Sequence, residues 1–151
     1  MNTIFSLSSL LVMPLWGLMI LLPHWRWTRR IMQSPLSVVA PALLYAALVL
    51  PQLGTVWPVV TDPTLPGLIA LLATPVGATI GWVHFLAFDL FVGRWAYLDS
   101  RERQISALLM APVLFLTLMI GPIGLLLYLA LRTLQPLLLR RVARPGLTAG
   151  S

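Results

Sequence analysis

The residues able to do acid–base chemistry in this sequence are concentrated between Gly81 and Arg103. That stretch contains three of the chain's four acidic residues and one of its two histidines. His84 and Asp89 lie within an apolar run. The helix is expected to end at Gly93, where a polar loop begins that holds Arg94, Asp99, Arg101, Glu102 and Arg103. A carboxylate and an imidazole in apolar surroundings can remove and deliver protons, because burial and nearby charges shift their pKa values. The stretch therefore predicts metal-free acid–base catalysis on a lipophilic substrate.

Other kinds of active site have weaker support in the sequence. His24 and His84 could together hold a haem, although no fixed spacing motif links them. They could also form a metal site with Asp89 and Asp99, although no HxxxH or ExxH pattern is present. The sequence has no cysteine, no serine–histidine–acid arrangement and no Walker motif. We therefore expect no cofactor and no metal, with haem or metal binding by the histidines left as an alternative.

The composition indicates a chain embedded in lipid. Of the 151 residues, 59% are hydrophobic and 9% are charged, and the mean hydropathy is +0.92. Soluble domains have about 25% charged residues, so this chain has too few for a water-exposed surface. The net charge of +6 comes from arginines that flank the hydrophobic segments. Arginines in those positions suit lipid head groups, so membrane lipids are expected partners and nucleic acid is not.

Four apolar segments predict an all-α membrane protein, a bundle of four transmembrane helices. The helices are expected at about residues 4–22, 36–53, 67–92 and 105–131, close to the roughly 20 residues that span a bilayer. They form a predicted domain of residues 1–132, followed by a basic and partly disordered tail of residues 133–151. The first segment is expected to be retained, because no basic residue precedes it and no small-residue cleavage site follows it.

With four crossings, the candidate residues gather in one half of the membrane. The first helix ends at His24, and the third helix runs towards the same face. At about 1.5 Å per residue, Asp89 lies about 5 Å and His84 about 12 Å below that face. An ionisable residue inside a spanning helix is costly and is therefore a candidate for function. The alternative is a buried ion pair of Asp89 with Arg94 or Arg26 that only stabilises the bundle.

Helix geometry constrains how these residues are arranged. His84 and Asp89 are five residues apart, so they point about 140° from each other and are expected to face different partners. The pattern Gly77-x-x-x-Gly81 permits close helix contact, which leaves homo-oligomerisation open. The GPIG sequence at residues 121–124 would either widen a pocket or only kink the fourth helix.

Two stretches, PHWRWTRR at residues 23–30 and GWVHFLAFDLFVGRWAYLDSRER at residues 81–103, resemble the abscisic-acid-deficient-four-like family of small integral membrane proteins. The resemblance extends from Leu11 through the fourth predicted helix, and FDLFVGRW…LDSR at residues 88–101 is its most specific part. It implies isomerisation of the 5,6-epoxide end of violaxanthin into the allenic end of neoxanthin. The sequence shows no chloroplast transit segment, which suggests a prokaryotic relative in a cytoplasmic or thylakoid-type membrane.

On this interpretation the candidate residues have distinct roles. Asp89 would remove a proton from the polyene carbon next to the epoxide, and His84, or Asp99 with Arg94, would protonate the epoxide oxygen. The expected substrate-binding residues are His24, Trp25, Trp82, Phe85, Phe88 and Trp95. The substrate is then a lipophilic small molecule, a carotenoid or another isoprenoid. The alternative is a non-catalytic carotenoid-, quinone- or lipid-binding membrane protein that assists another enzyme.

Overall fold

The structure is a computed structural model that describes residues 1–142, with side chains described as far as residue 135. All regular elements in this part are helices, as predicted. The α-helices are α1 (Asn2–Leu21), α2 (Arg26–Gln33), α3 (Leu36–Val49), α4 (Leu53–Thr61), α5 (Leu65–Leu72), α6 (Pro75–Glu102), α7 (Ala107–Met119) and α8 (Gly121–Val142). A 3₁₀ turn, Leu50–Gln52, joins α3 to α4. Residues 143–151 of the predicted disordered tail lie outside the described residues.

Three helical segments in the described part are long and apolar enough to cross a membrane. They are α1, the α3–α4 segment from Leu36 to Thr61, and α6. The first agrees closely with the predicted helix at residues 4–22, and the second extends beyond the predicted end at residue 53. The single fourth span predicted at residues 105–131 is instead two helices, α7 and α8.

The third predicted helix, residues 67–92, has different bounds in the structure. Its first residues form α5, and α6 begins after Thr74, whose hydroxyl accepts a hydrogen bond from the Gly77 N–H at 3.0 Å. α6 then continues without a break through Gly93, so the predicted polar loop after Gly93 is wrong. The glycine serves packing instead, because any side chain at Gly93 would overlap the Trp16 ring of α1.

The core surrounds α6, which contacts α1, α2, α3, α5, α7 and α8. Its largest buried side chains include Trp16, Met19, Leu90, Tyr97 and Tyr128. The Gly77 and Gly81 positions face α5 of the same chain. A methyl group on Gly77 would overlap the Leu71 carbonyl, and one on Gly81 would lie 3.2 Å from Leu72 Cδ2. The two glycines therefore permit a contact within the chain, and homo-oligomerisation stays a prediction.

α7 and α8 form a hairpin beside the second half of α6. α7 returns antiparallel to α6 after a tight turn in which Gln104 adopts a φ of 55°. The chain reverses again at Ile120, since Pro122 has no N–H to continue the α7 ladder. Gly124 allows the two helices to touch, because any side chain there would overlap the backbone of Thr117.

Contacts at two levels define the direction of α8. Gly121 lies against Asp89, while Tyr128 and Arg132 lie against Asp99 further along α6. Both helices advance in the same sense between these contacts, so α8 runs parallel to α6. The turn at Ile120 and Gly121, which we term the hairpin tip, is level with Asp89. GPIG therefore reverses the chain rather than kinking one continuous helix.

Candidate functional site

Asp89 lies at the hairpin tip, where α8 begins. Its carboxylate occupies the space in front of Gly121, so a methyl group on Gly121 would overlap Oδ1. A helix N-terminus favours a nearby carboxylate because its first N–H groups are unpaired and the helix dipole is positive there. Within residues 1–135, the Asp89 side chain forms no ion pair, so the predicted alternative of pairing with Arg94 or Arg26 is not observed.

The surface next to the hairpin tip is apolar and open. Because the hairpin ends level with Asp89, neither α7 nor α8 covers the preceding turn of α6. Phe85 is 61% exposed and Phe88 is 59% exposed. A lipophilic molecule resting on these two rings would lie beside the half-buried Asp89 carboxylate. In this position the Asp89 carboxylate can remove a proton from an apolar molecule that rests on the two rings.

His84 lies among aromatic rings on a different side of α6. Its ring centroid is 5.4 Å from Tyr45 of α3, 4.7 Å from Phe88 and 6.2 Å from Phe85. The imidazole is exposed. The prediction that His84 and Asp89 face different partners is therefore confirmed, and the two side chains are not a directly bonded pair.

Asp99 is the acceptor of a hydrogen-bond network that joins α6 to α8. Its Oδ2 accepts hydrogen bonds from Arg103 Nε at 2.7 Å and from the Tyr128 hydroxyl, and it lies 3.2 Å from Arg132 Nε in an ion pair. Tyr128 is fully buried and packs edge-on against Trp95, with centroids 5.2 Å apart. The hydrogen bond to Asp99 raises the pKa of the Arg103 guanidinium. With two hydrogen-bond donors and a second arginine around one oxygen, Asp99 has the contacts of a residue that fixes the hairpin.

Arg94 caps a neighbouring helix and does not approach Asp99. Its Nε donates to the Met32 carbonyl, and a terminal nitrogen donates to the Gln33 carbonyl at 3.2 Å. These carbonyls belong to the last turn of α2, where a cation satisfies unpaired acceptors. The structure therefore does not bring together the predicted pair of Asp99 with Arg94.

The remaining predicted binding residues lie at separate places. Trp82 stacks on Phe5 of α1 with centroids 5.2 Å apart, and its indole N–H donates to a serine of α1. Trp95 belongs to the network around the end of α6. His24 and Trp25 are exposed in the connection between α1 and α2. Phe85 and Phe88 are thus the two predicted binding residues that lie next to both His84 and Asp89.

Two residues with clear structural partners, Tyr128 and Arg132, were not singled out in the sequence, and Gly121 was considered only as part of GPIG. Tyr128 carried a usable signal, since a hydroxyl within the apolar run GPIGLLLYL needs a hydrogen-bond partner once it is buried. Gly121 and Arg132 gave no such signal, because their partners are distant in the sequence.

The titratable residues of the described part do not cluster as metal ligands would. No group of three or more histidines, aspartates or glutamates lies close enough to hold a metal ion there. His24 lies near the end of α1, and His84 packs against Tyr45 of α3, so the two histidines do not share a pocket.

Comparison with known proteins identifies relatives of this sequence. The family model described as ABA DEFICIENT 4-like matches residues 3–128. The protein named ABA DEFICIENT 4, chloroplastic, from Arabidopsis thaliana is 26% identical over 115 residues, covering 70% of this chain and 50% of that protein. The chain thus spans about half the length of this curated relative, and no solved structure matches it. Because the family match covers most of the sequence, including α1, α6 and the hairpin tip, the chain belongs to the ABA DEFICIENT 4-like family.

Proposed function

We propose that this protein is a membrane-embedded enzyme that isomerises the epoxide end group of a carotenoid or a related isoprenoid to an allene. Two findings support a lipophilic substrate. The first is membership of the family, for which the sequence resemblance implies neoxanthin formation, and the second is the presence of three apolar helical segments of membrane-spanning length. The kind of membrane, cytoplasmic or thylakoid-type, stays a prediction.

The observation that carries this proposal is the position of Asp89. Placing a carboxylate in an apolar membrane helix costs free energy, so such a residue is a candidate for a functional role. Here it lies at the hairpin tip beside exposed Phe85 and Phe88. A base that acts on a membrane-dissolved substrate needs both conditions: access from the apolar side and no competing cation.

The surface of α6 suggests how the end group would lie. At about 100° per residue, the side chains follow one another around the helix in the order His84, Phe88, Phe85 and Asp89. The rise from His84 to Asp89 is about 7.5 Å. A cyclic end group resting on the two phenylalanine rings would lie between the imidazole and the carboxylate.

The reaction requires two proton movements and no change of oxidation state. Asp89 would take the proton from the polyene carbon next to the epoxide, and that electron pair would form the second double bond of the allene. The carbon–oxygen bond would break, and the epoxide oxygen would gain a proton to become a hydroxyl. We propose His84 as the proton donor, because Asp99 and Arg94 are occupied by other contacts.

The exposed aromatic residues also suit the alternative, a protein that binds a carotenoid, quinone or lipid without converting it. The rings of Tyr45, His84 and Phe88 form a continuous contact surface for a polyene. A binding protein would need this surface but not the carboxylate at the hairpin tip.

Expression in a host that accumulates violaxanthin tests the proposal. Chromatography of the extracted pigments should show a new allenic product that depends on the protein. If the folded protein is present without a product, the isomerase proposal is wrong. Violaxanthin that copurifies with the protein in that case would support the binding alternative.

Gly121→Ala should displace the Asp89 carboxylate and lower turnover while the protein remains folded. The methyl group would overlap Oδ1, but the carboxylate can rotate away at the end of its side chain. We expect kcat to fall by about tenfold to a hundredfold, because small displacements of a catalytic group have effects of that size. Gly54→Ala is the matched control, since nothing lies within 4 Å of the position its methyl group would take. Equal kcat in both variants would contradict the role of the hairpin tip.

A further inference from the structure

A cavity of about 670 Å³ lies where the end of α1 and α2 meet the last turns of α6. Its polar lining includes Arg26, Arg29, Arg30, Gln33, Tyr97 and Arg101. We propose that this cavity, which we term the arginine cavity, binds a phosphate group carried by a lipid. The proposal concerns a site separate from Asp89 and does not depend on the isomerase reaction.

The charge in the arginine cavity is not balanced by the protein. Four arginines line it, and no carboxylate does. Within the part of the chain with described side chains, none of these arginines forms an ion pair. Asp99, the acidic residue with close cationic partners, is bound to Arg103 and Arg132 instead. An anionic ligand would supply the missing charge.

Arg101 provides a second, independent indication. One of its terminal nitrogens donates to the Ile105 carbonyl, whereas its Nε is buried and has no hydrogen-bond partner among the described residues. Buried N–H groups are nearly always paired, so the unpaired Nε shows that the protein does not use the full hydrogen-bonding capacity of Arg101. Arg101 also lines the arginine cavity, and arginine is the side chain that most often binds phosphate through charge-assisted N–H donors.

Several contacts hold the arginine cavity in shape without a ligand. The Tyr97 hydroxyl donates to the Pro23 carbonyl at 2.7 Å, and the Thr28 hydroxyl donates to the Leu22 carbonyl at 2.8 Å. Arg94 caps the last turn of α2, as described above. These hydrogen bonds therefore position α2 without the help of a bound anion.

An adjoining cavity explains why the phosphate should be part of a lipid. This second cavity, of about 680 Å³, shares His24 and Arg101 with the first. Its lining is largely apolar and includes Ile20, Leu21, Leu108 and Ala111. Arg101 thus stands between a cationic compartment and an apolar one. A phosphorylated lipid fits both, with its head group among the arginines and the start of its chain against α7.

Native mass spectrometry of the full chain in detergent tests the proposal, with equimolar phosphatidic acid and phosphatidylcholine as probes. We expect the wild type to retain phosphatidic acid roughly tenfold more than phosphatidylcholine. The phosphate of phosphatidic acid can form charge-assisted hydrogen bonds with the arginines, whereas the phosphate of phosphatidylcholine carries a choline cation that competes with them. Arg101→Gln and, separately, Arg29→Gln should reduce this preference. Arg29 is exposed, so its variant tests the site even if Arg101→Gln fails to fold.

Arg103→Gln is the control, because it removes a positive charge next to the same end of α6 but outside the cavity. An equal loss of preference in Arg103→Gln would show non-specific surface attraction and overturn the proposal. The proposal is also overturned if the wild type neither prefers phosphatidic acid nor binds inorganic phosphate.

Ala111→Phe and inorganic phosphate together distinguish the source of the phosphate group. The added ring would fill the apolar compartment, so it should lower retention of phosphatidic acid and leave binding of inorganic phosphate unchanged. Tight binding of inorganic phosphate, with lipid retention unaffected by Ala111→Phe, would instead support a free phosphate ligand and overturn the lipid assignment.

Discussion

Replacing Asp89 with asparagine should lower the turnover of a carotenoid epoxide by about 10²–10⁴-fold, the range that a positioned acid or base contributes. Asparagine has nearly the same shape and would still occupy the space in front of Gly121. Its amide cannot accept the proton that a carboxylate removes. The fold and pigment binding should therefore be retained, and only the chemical step should be lost. Single-turnover conversion of the epoxide, measured by chromatography, gives this rate directly.

The matched control for that experiment is Asp62→Asn, which removes a carboxylate at the exposed end of α4. It should leave turnover unchanged, because Asp62 lies outside the hairpin tip and the aromatic surface. Full activity in Asp89→Asn would remove Asp89 from the mechanism. Loss of pigment binding together with turnover would instead indicate that Asp89 has a positioning role.

Asp99→Ala should have the largest effect on stability, lowering the free energy of unfolding by about 2–4 kcal/mol. Its loss leaves the fully buried Tyr128 hydroxyl without an acceptor and two arginines without their shared partner. An unsatisfied buried hydroxyl costs about 1–3 kcal/mol, and the loss of the partly exposed ion pairs adds a smaller amount. The midpoint of thermal unfolding in detergent micelles measures the change.

The double variant Asp99→Ala with Tyr128→Phe separates the two contributions. Removing both partners of a hydrogen bond is less costly than removing one, so the double variant should be more stable than Asp99→Ala alone. If the single and double variants unfold at the same temperature, the hydroxyl is not what Asp99 stabilises. An unchanged midpoint in Asp99→Ala would show that the network does not hold the hairpin.

The sequence predicted the helical class and the first helix well, because both depend on long apolar runs. The prediction failed at a glycine that can either end a helix or permit close packing within one. Gly93 was interpreted as a helix end, but its partner is Trp16, 77 residues earlier in the chain. Local patterns contain no information about that ring, so they could not distinguish a packing glycine from a breaking one.

The hairpin was missed for a related reason. An apolar run from residue 105 to residue 131 has the composition of a single spanning helix, and a Gly-Pro pair can bend or reverse a helix. The contact of Gly124 with Thr117 decides between these outcomes, and it exists only once α7 and α8 pack together. The same reversal brings Gly121 to Asp89, whereas Arg94, one of the two cations considered as partners of Asp89, caps the last turn of α2.

The direction of α8 also determines how the chain would be inserted in a bilayer. If α1, the α3–α4 segment and α6 are the crossings, the α7–α8 hairpin starts and ends on the same side of the membrane, so the number of crossings is odd. The start of α1 and the end of α8 would then lie on opposite sides. The arginines with described side chains would all lie on the side that α6 reaches, and they are Arg26, Arg29, Arg30, Arg94, Arg101, Arg103 and Arg132. Arginine-rich loops stay on the side of synthesis, so this asymmetry favours translocation of the start of α1 and of the connection between α4 and α6.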